Sequence, residues 1–146
     1  MSERIWRSGL AAALVFLLAS CASTPKPTTS QTDLVQAYVA AYNVRDLQAM
    51  SALMHPDIEW LSIEASGIET LADGKEDLVG QMQAYLATSD TVSELGDIAT
   101  NGAFVSGIET ARWMGADGMQ KAQSAMAVYE IEDNLIRRVW YFPASP

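Results

Sequence analysis

Cysteine and histidine are almost missing from this chain: 146 residues hold one of each, Cys21 and His55. A single thiol cannot close an internal disulfide or build a cysteine-rich metal site. One imidazole supplies little for catalytic zinc, which usually takes several histidine ligands. Neither a metal nor a cofactor is expected. Positive charge is scarce too, with 9 Lys and Arg against 18 Asp and Glu and a net charge of −9. Nucleic-acid binding needs clustered basic residues, so no nucleic-acid partner is expected. Only 18% of residues are charged and 49% are hydrophobic, which excludes a disordered polymer and suits one globular domain. Internal repeats are absent. The first apolar run, residues 10–18, is too short for an ordinary membrane span.

That run lies within "MSERIWRSGLAAALVFLLASC". Arg4 and Arg7 precede it and the small Ala19 and Ser20 follow it, the pattern of a secretory signal. Leu18-Ala19-Ser20-Cys21 resembles the bacterial lipoprotein signal. The resemblance implies a signal peptide at residues 1–20, cleavage before Cys21, and acyl chains on Cys21 that anchor the protein to the membrane. Several acyl chains hold a protein far better than one. Residues 21–32 contain "ASTPKPTTSQT", polar and rich in Pro and Thr, and read as a tether. Position 22 is Ala and not the Asp that favours inner-membrane retention, so the resemblance points to the outer membrane facing the periplasm. Removing Glu3, Arg4 and Arg7 leaves the mature chain still more acidic. Anionic lipid would repel it, leaving the acyl chains as its hold.

The domain is read as residues 33–146. Asp33 is a candidate N-cap for "LVQAYVAAYNV", and Asp46 for "DLQAMSALM". "HPD" ends that second helix, because Pro56 cannot continue it. "IEWLSI" alternates as a strand does, "GIETLADG" reads as a loop, and "KEDLVGQMQAYLAT" as a third helix. Four strands follow, "SELGDIAT", "GAFVSGIETARWM", "QKAQSAMAVYEIE" and "LIRRVWYF", separated by turn chemistry. The expected class is α+β, with helices on one face of an antiparallel sheet.

This order, the opening "LVQAYVAAYNVRDLQAMSALMHPDIEWLS" and the closing "YEIEDNLIRRVWYF" resemble the nuclear transport factor 2-like superfamily, which includes ketosteroid isomerase and the SnoaL-like polyketide cyclases. The resemblance spans residues 34–142. It implies a curved antiparallel sheet wrapped around the helices as a cone-shaped barrel enclosing a pocket. Activity does not follow from the fold, because the fold hosts isomerases, cyclases, dehydratases, epoxide hydrolases and binders.

Strand alternation selects the side chains that enter such a pocket. Trp60, Ser62 and Glu64 are expected inward from the first strand, and Glu109, Ala111 and Trp113 from the strand after Gly107. Tyr129 and Tyr141 follow from the last two. In the isomerase comparison Tyr38 falls at the oxyanion-hole tyrosine, Ser62 at the proton-shuttling acid, and Ala127 near the second oxyanion donor. A serine without a partner base cannot abstract a carbon-bound proton. Arg112 likewise lacks inward acidic partners for epoxide-hydrolase chemistry.

The leading expectation is a lipid-anchored envelope protein binding a small, mostly apolar molecule without catalysis. The expected ligand contacts are Trp60, Ser62, Glu64, Trp113, Tyr129 and Tyr141. One alternative is SnoaL-like general acid–base chemistry of isomerase, cyclase or dehydratase type. Glu109 would act there with Tyr38 or His55, unless it lies at the pocket mouth bonded to Tyr38. A second alternative is a protein-interaction module. Leu61, Ile63, Met126, Val128, Trp140 and Phe142 would give the outer sheet face an apolar patch, and such patches mark interfaces. A homodimer through this face is expected, as in related folds.

Overall fold

A computed structural model describes residues 29–146. The expected signal peptide, Cys21 and residues 22–28 of the expected tether lie outside the described residues. Helix α1, Gln31–Asn43, starts slightly before the expected boundary at residue 33. Its N-cap is Ser30, whose Oγ accepts the Asp33 N–H at 3.1 Å. Asp33, expected as the cap, instead supplies a negative charge in the first turn, where the helix dipole favours it. Arg45 takes a left-handed φ of 61° after α1. Asp46 then caps α2, Leu47–Ala52, accepting the Ala49 N–H at 2.9 Å.

Strand β1, Met54–Glu64, begins sooner than expected, and Pro56 lies inside it. The proline is tolerated because the pairing of β1 with β6 is interrupted between Met54 and Glu59, and pairing with β2 starts only at Glu59. Strand β2, Gly67–Asp73, corrects the expected loop. Only Ala72 of its residues is buried, so this edge strand carries no apolar alternation and is held by backbone pairing with β1. Helix α3 spans Lys75–Leu86. The remaining strands are β3 (Val92–Asn101), β4 (Phe104–Met114), β5 (Gln120–Glu132) and β6 (Leu135–Tyr141). Asp133 and Asn134, both at positive φ, make the tight β5–β6 turn.

The strands form one six-stranded sheet in the order β2-β1-β6-β5-β4-β3. Pairing is antiparallel except between β1 and β6, which run parallel, so the sheet is mixed. It curves around the helices but stays open, with β2 and β3 as free edges instead of a closed barrel. Bulges between Gly96 and Ala99 and between Glu130 and Ile131 supply local bends. α1 packs on β3 and β4, and α3 packs on β1 and β2. The core between helices and sheet holds Val35, Met50, Met54, Ile58, Leu78 and Ile136, all fully buried. Burial of each such side chain stabilises the fold by about 1.5–3 kcal/mol. The same concave face, farther along the strands, is not filled.

Candidate functional site

On the concave face, register brings small residues beside large ones. Ser62 pairs with Tyr141, Tyr141 with Ala127, and Ala127 with Gly107. Glu109 pairs with Ala125 on one side and Leu95 on the other. The small side chains of Ala125 and Ala127 leave room for phenols to reach across to the Glu109 carboxyl. Tyr129 donates to Glu109 Oε2 at 2.8 Å and Tyr141 to the same oxygen at 2.6 Å. The Ser93 hydroxyl donates to Oε1. Glu109 therefore holds the hydroxyls of β3, β5 and β6 together. Its expected partner Tyr38 is not among these donors.

Two chambers open on this face and share Glu109, Ala111 and Tyr141. The inner one, about 270 Å³, lies under the helices and is walled by Tyr38, Tyr42, Trp60, Met82, Tyr85 and Ser93 among others. Trp60 stacks on Tyr141 with ring centroids 5.2 Å apart, and Tyr38 tilts against Trp60 at 6.2 Å. The outer chamber, about 500 Å³, is more polar and includes Ser62, Glu64, Gln123 and Ser124. Ser62 donates to Glu64 at 2.6 Å. The chain end roofs the outer chamber with Pro143 and Ala144, fastened where Ser145 and Ser124 exchange backbone hydrogen bonds.

One polar atom in this region is unsatisfied. The Tyr38 hydroxyl is buried and has no hydrogen-bond partner. Burial raises its pKa far above the ordinary phenol value, and the nearby Glu109 charge adds to the effect. Tyr129 and Tyr141 are also held neutral, mainly by burial. All three phenols thus stay hydrogen-bond donors at physiological pH and cannot serve as bases.

Trp60, Ser62, Glu64, Glu109, Tyr38 and Tyr141 line the chambers as expected, and Tyr129 stands behind Glu109. Two expected residues lie elsewhere. His55 sits at the start of β1, where its Nδ1 accepts the Asp57 N–H at 3.1 Å, and it lines neither chamber. Trp113 is two residues beyond Ala111, pairs with Lys121 near the end of β4, and lines neither chamber. Ser93, Tyr42, Tyr85 and Gln123 were not singled out from the sequence. Ser93 and Tyr85 reach the site because β3 and α3 meet the concave face, which strand alternation alone does not fix; Tyr42 comes from α1, and Gln123 shares the β5 alternation of Tyr129. Among the described residues, no three His, Cys, Asp or Glu side chains gather to hold a metal.

Residues 35–139 match the SnoaL-like domain family. The chain belongs to that family. Solved structures similar to this SnoaL-like domain share its fold at low identity. A cystatin fold protein from Novosphingobium aromaticivorans aligns with a TM-score of 0.69 and 23% identity, covering 80% of this chain and 100% of that one. A candidate ketosteroid isomerase from Kribbella flavida aligns with 0.65 and 22%, covering 81% and 82%. IdmH, a candidate polyketide cyclase from Streptomyces antibioticus, aligns with 0.66 and 18%, covering 80% and 92%. No curated protein sequence matches the chain. The fold of the SnoaL-like domain is the nuclear transport factor 2-like one, and chemistry must be read from the site itself.

At that site the isomerase set is incomplete. Ser62, where the resemblance to ketosteroid isomerase would put the proton-shuttling acid, is hydrogen-bonded to Glu64, and the fully buried Ala127 offers no side-chain donor.

On the opposite sheet face, Ile63, Phe104, Val128, Trp140 and Phe142 line a shallow apolar hollow. Phe104 tilts against Trp140 at 6.2 Å, and the Arg138 guanidinium lies 5.4 Å from the Trp140 ring. Arg138 also bonds Glu59 and Glu130. Met126 and Ile108 are exposed, and Leu61, paired with Trp140, is the buried member of this face.

Proposed function

We propose that this protein is a lipid-anchored envelope protein whose SnoaL-like domain binds a small, mostly apolar molecule in the inner chamber without transforming it. The observation that carries this reading is the unpartnered, buried Tyr38 hydroxyl in a chamber walled by aromatic rings. A buried polar group without a partner costs roughly 1–3 kcal/mol, and a ligand with one polar group facing Tyr38 would recover it. Rings and one or two convergent polar groups are the usual makeup of a small-molecule site. A thermal-shift screen of apolar compounds, with native mass spectrometry of the hits, tests the reading. Ligands that bind one-to-one and raise Tm support it; a screen with no hits contradicts it.

A second reading is acid–base catalysis with Glu109, favoured by its place between both chambers and by neighbours described as a candidate isomerase and a candidate cyclase. Against it stand the hydroxyls already seated on both carboxyl oxygens. The test is whether a bound compound from the screen leaves the protein chemically changed, and whether Glu109→Gln stops the change.

The anchor is proposed at Cys21 on the sequence "LLASC". Feeding cells an alkyne-tagged fatty acid should label the wild-type protein and not Cys21→Ala; equal labelling would contradict lipidation. A homodimer through the apolar outer face completes the proposal, supported by the exposed Phe104 and Met126 around the Trp140 hollow. An interaction with a different envelope protein through that face is its competitor, and crosslinking in the envelope separates the two.

A further inference from the structure

The inner chamber combines aromatic walls with an acid that has no cationic partner. Glu109 is partly buried, and among the described residues no Lys, Arg or His lies within ion-pair reach of it. Neither chamber has a basic residue in its lining. Arg45, whose guanidinium lies over the Tyr42 ring at 5.6 Å, is held by the carbonyls of Tyr42, Asn43 and Ser89 and is not part of either wall. A carboxylate offers about four acceptor positions. Ser93, Tyr129 and Tyr141 take three of them, which leaves one on Oε1. Tyr38 lines the same chamber, and its hydroxyl, unpartnered and buried, is a free acceptor as well as a donor. Trp60, Tyr141 and Tyr38 present stacked and tilted rings to the same space.

From this juxtaposition we infer that the polar group of the ligand is a protonated amine, seated between the Glu109 carboxylate, the Tyr38 hydroxyl and the Trp60–Tyr141 ring pair. The inference rests on the ligand-binding reading above and names the ligand class. An ammonium N–H can donate to Oε1 and another to Tyr38 Oη, while the ring faces attract the same positive charge. A neutral hydroxyl could fill the same two positions, but it lacks the full positive charge that both the carboxylate and the ring faces attract. An anionic group would meet Glu109 with no cation to offset it. The small inner volume limits the amine to a compact apolar body, with any longer substituent running past Ala111 into the outer chamber.

The test is isothermal titration of the full chain in detergent with 2-phenylethylammonium, the alcohol 2-phenylethanol, and the anion 3-phenylpropanoate. The wild-type protein should bind the ammonium at least about tenfold more tightly than the alcohol, with the anion weakest. Glu109→Gln should remove that preference and leave the alcohol within about twofold; Glu132→Gln, at the end of β5 and outside both chambers, should keep the preference. An alcohol bound as tightly as the ammonium overturns the inference and leaves the ligand-binding reading standing. If none of the probes binds, the amine inference falls, and the broader reading falls only if its own screen also finds nothing. The wild-type comparison needs no variant, so it decides the matter even if Glu109→Gln does not fold. Loss of the preference in Glu132→Gln, or its persistence in a folded Glu109→Gln, would also overturn the assignment.

Discussion

Asn43, the last residue of α1, grips Ser93 of β3 with both ends of its amide. Its Oδ1 accepts the Ser93 N–H and its Nδ2 donates to the Ser93 carbonyl, each at 2.7 Å. Ser93 is buried, and its hydroxyl in turn bonds Glu109. The helix end is thereby tied to the acid between the chambers through one strand residue. Asn43→Ala leaves both backbone groups of Ser93 without side-chain partners. The expected loss is about 1–3 kcal/mol of stability, measured by chemical denaturation. A loss near zero would show that the clamp positions nothing.

Tyr38→Phe should act in opposite directions on stability and binding. Removing a buried, unpartnered hydroxyl relieves its desolvation penalty, so the ligand-free variant should gain roughly 1 kcal/mol or more. Affinity for the ligand should fall. Denaturation and calorimetry on the same preparations check both halves; a destabilised Tyr38→Phe would mean that the hydroxyl already has a partner.

Alkaline pH should destabilise the protein. The Tyr38, Tyr42, Tyr129 and Tyr141 hydroxyls all have pKa values raised in the folded state, first by burial. The unfolded chain loses these protons near the ordinary value of 10.0, while the folded chain keeps them. Above that pH the unfolded state binds fewer protons, so stability falls as pH rises towards the folded-state values. Tyr85 runs the other way: burial raises its pKa, but hydrogen bonds to Ser89, Thr91 and Tyr42 outweigh it. Denaturation midpoints should be lower at pH 11 than at pH 9, and less so in Tyr38→Phe. A flat profile would contradict the burial of these phenols.

The outer face offers a separate test. Trp140→Glu places a charge in the apolar hollow beside Phe104 and should convert a dimer to a folded monomer. Analytical ultracentrifugation at micromolar concentration measures it. A wild-type protein that sediments as a monomer would end the homodimer proposal, and a variant that stays dimeric would move the interface elsewhere.

Much of the pocket was legible in the sequence because period-two alternation carries it. Trp60, Ser62, Glu109 and Tyr141 point inward once each strand's frame is known. Strand β2 was not legible: its faces are exposed apart from Ala72, so nothing in its side chains marks it. The convergence of Ser93, Tyr129 and Tyr141 on Glu109 was hidden for another reason. It depends on register across β3, β4, β5 and β6, which no single strand encodes. His55 and Trp113 show the limit of residue-type reasoning. Each suits a site chemically, and each lies on a site-forming strand but outside the stretch that borders the chambers. The α1 cap moved for a local reason, since Ser30 has the hydroxyl and the extended backbone that Asp33 lacks inside the helix.

Ala111 borders both chambers and carries only a methyl group, so Ala111→Trp fills them without touching Glu109 or Tyr38 chemically. Thermal unfolding of wild type and Ala111→Trp, with each compound that raises the wild-type Tm, tests most directly whether this space is a binding site. Binding in the chambers predicts a Tm rise in the wild type that disappears in a folded Ala111→Trp. A rise that persists unchanged in the variant would place the ligand elsewhere and contradict the proposal.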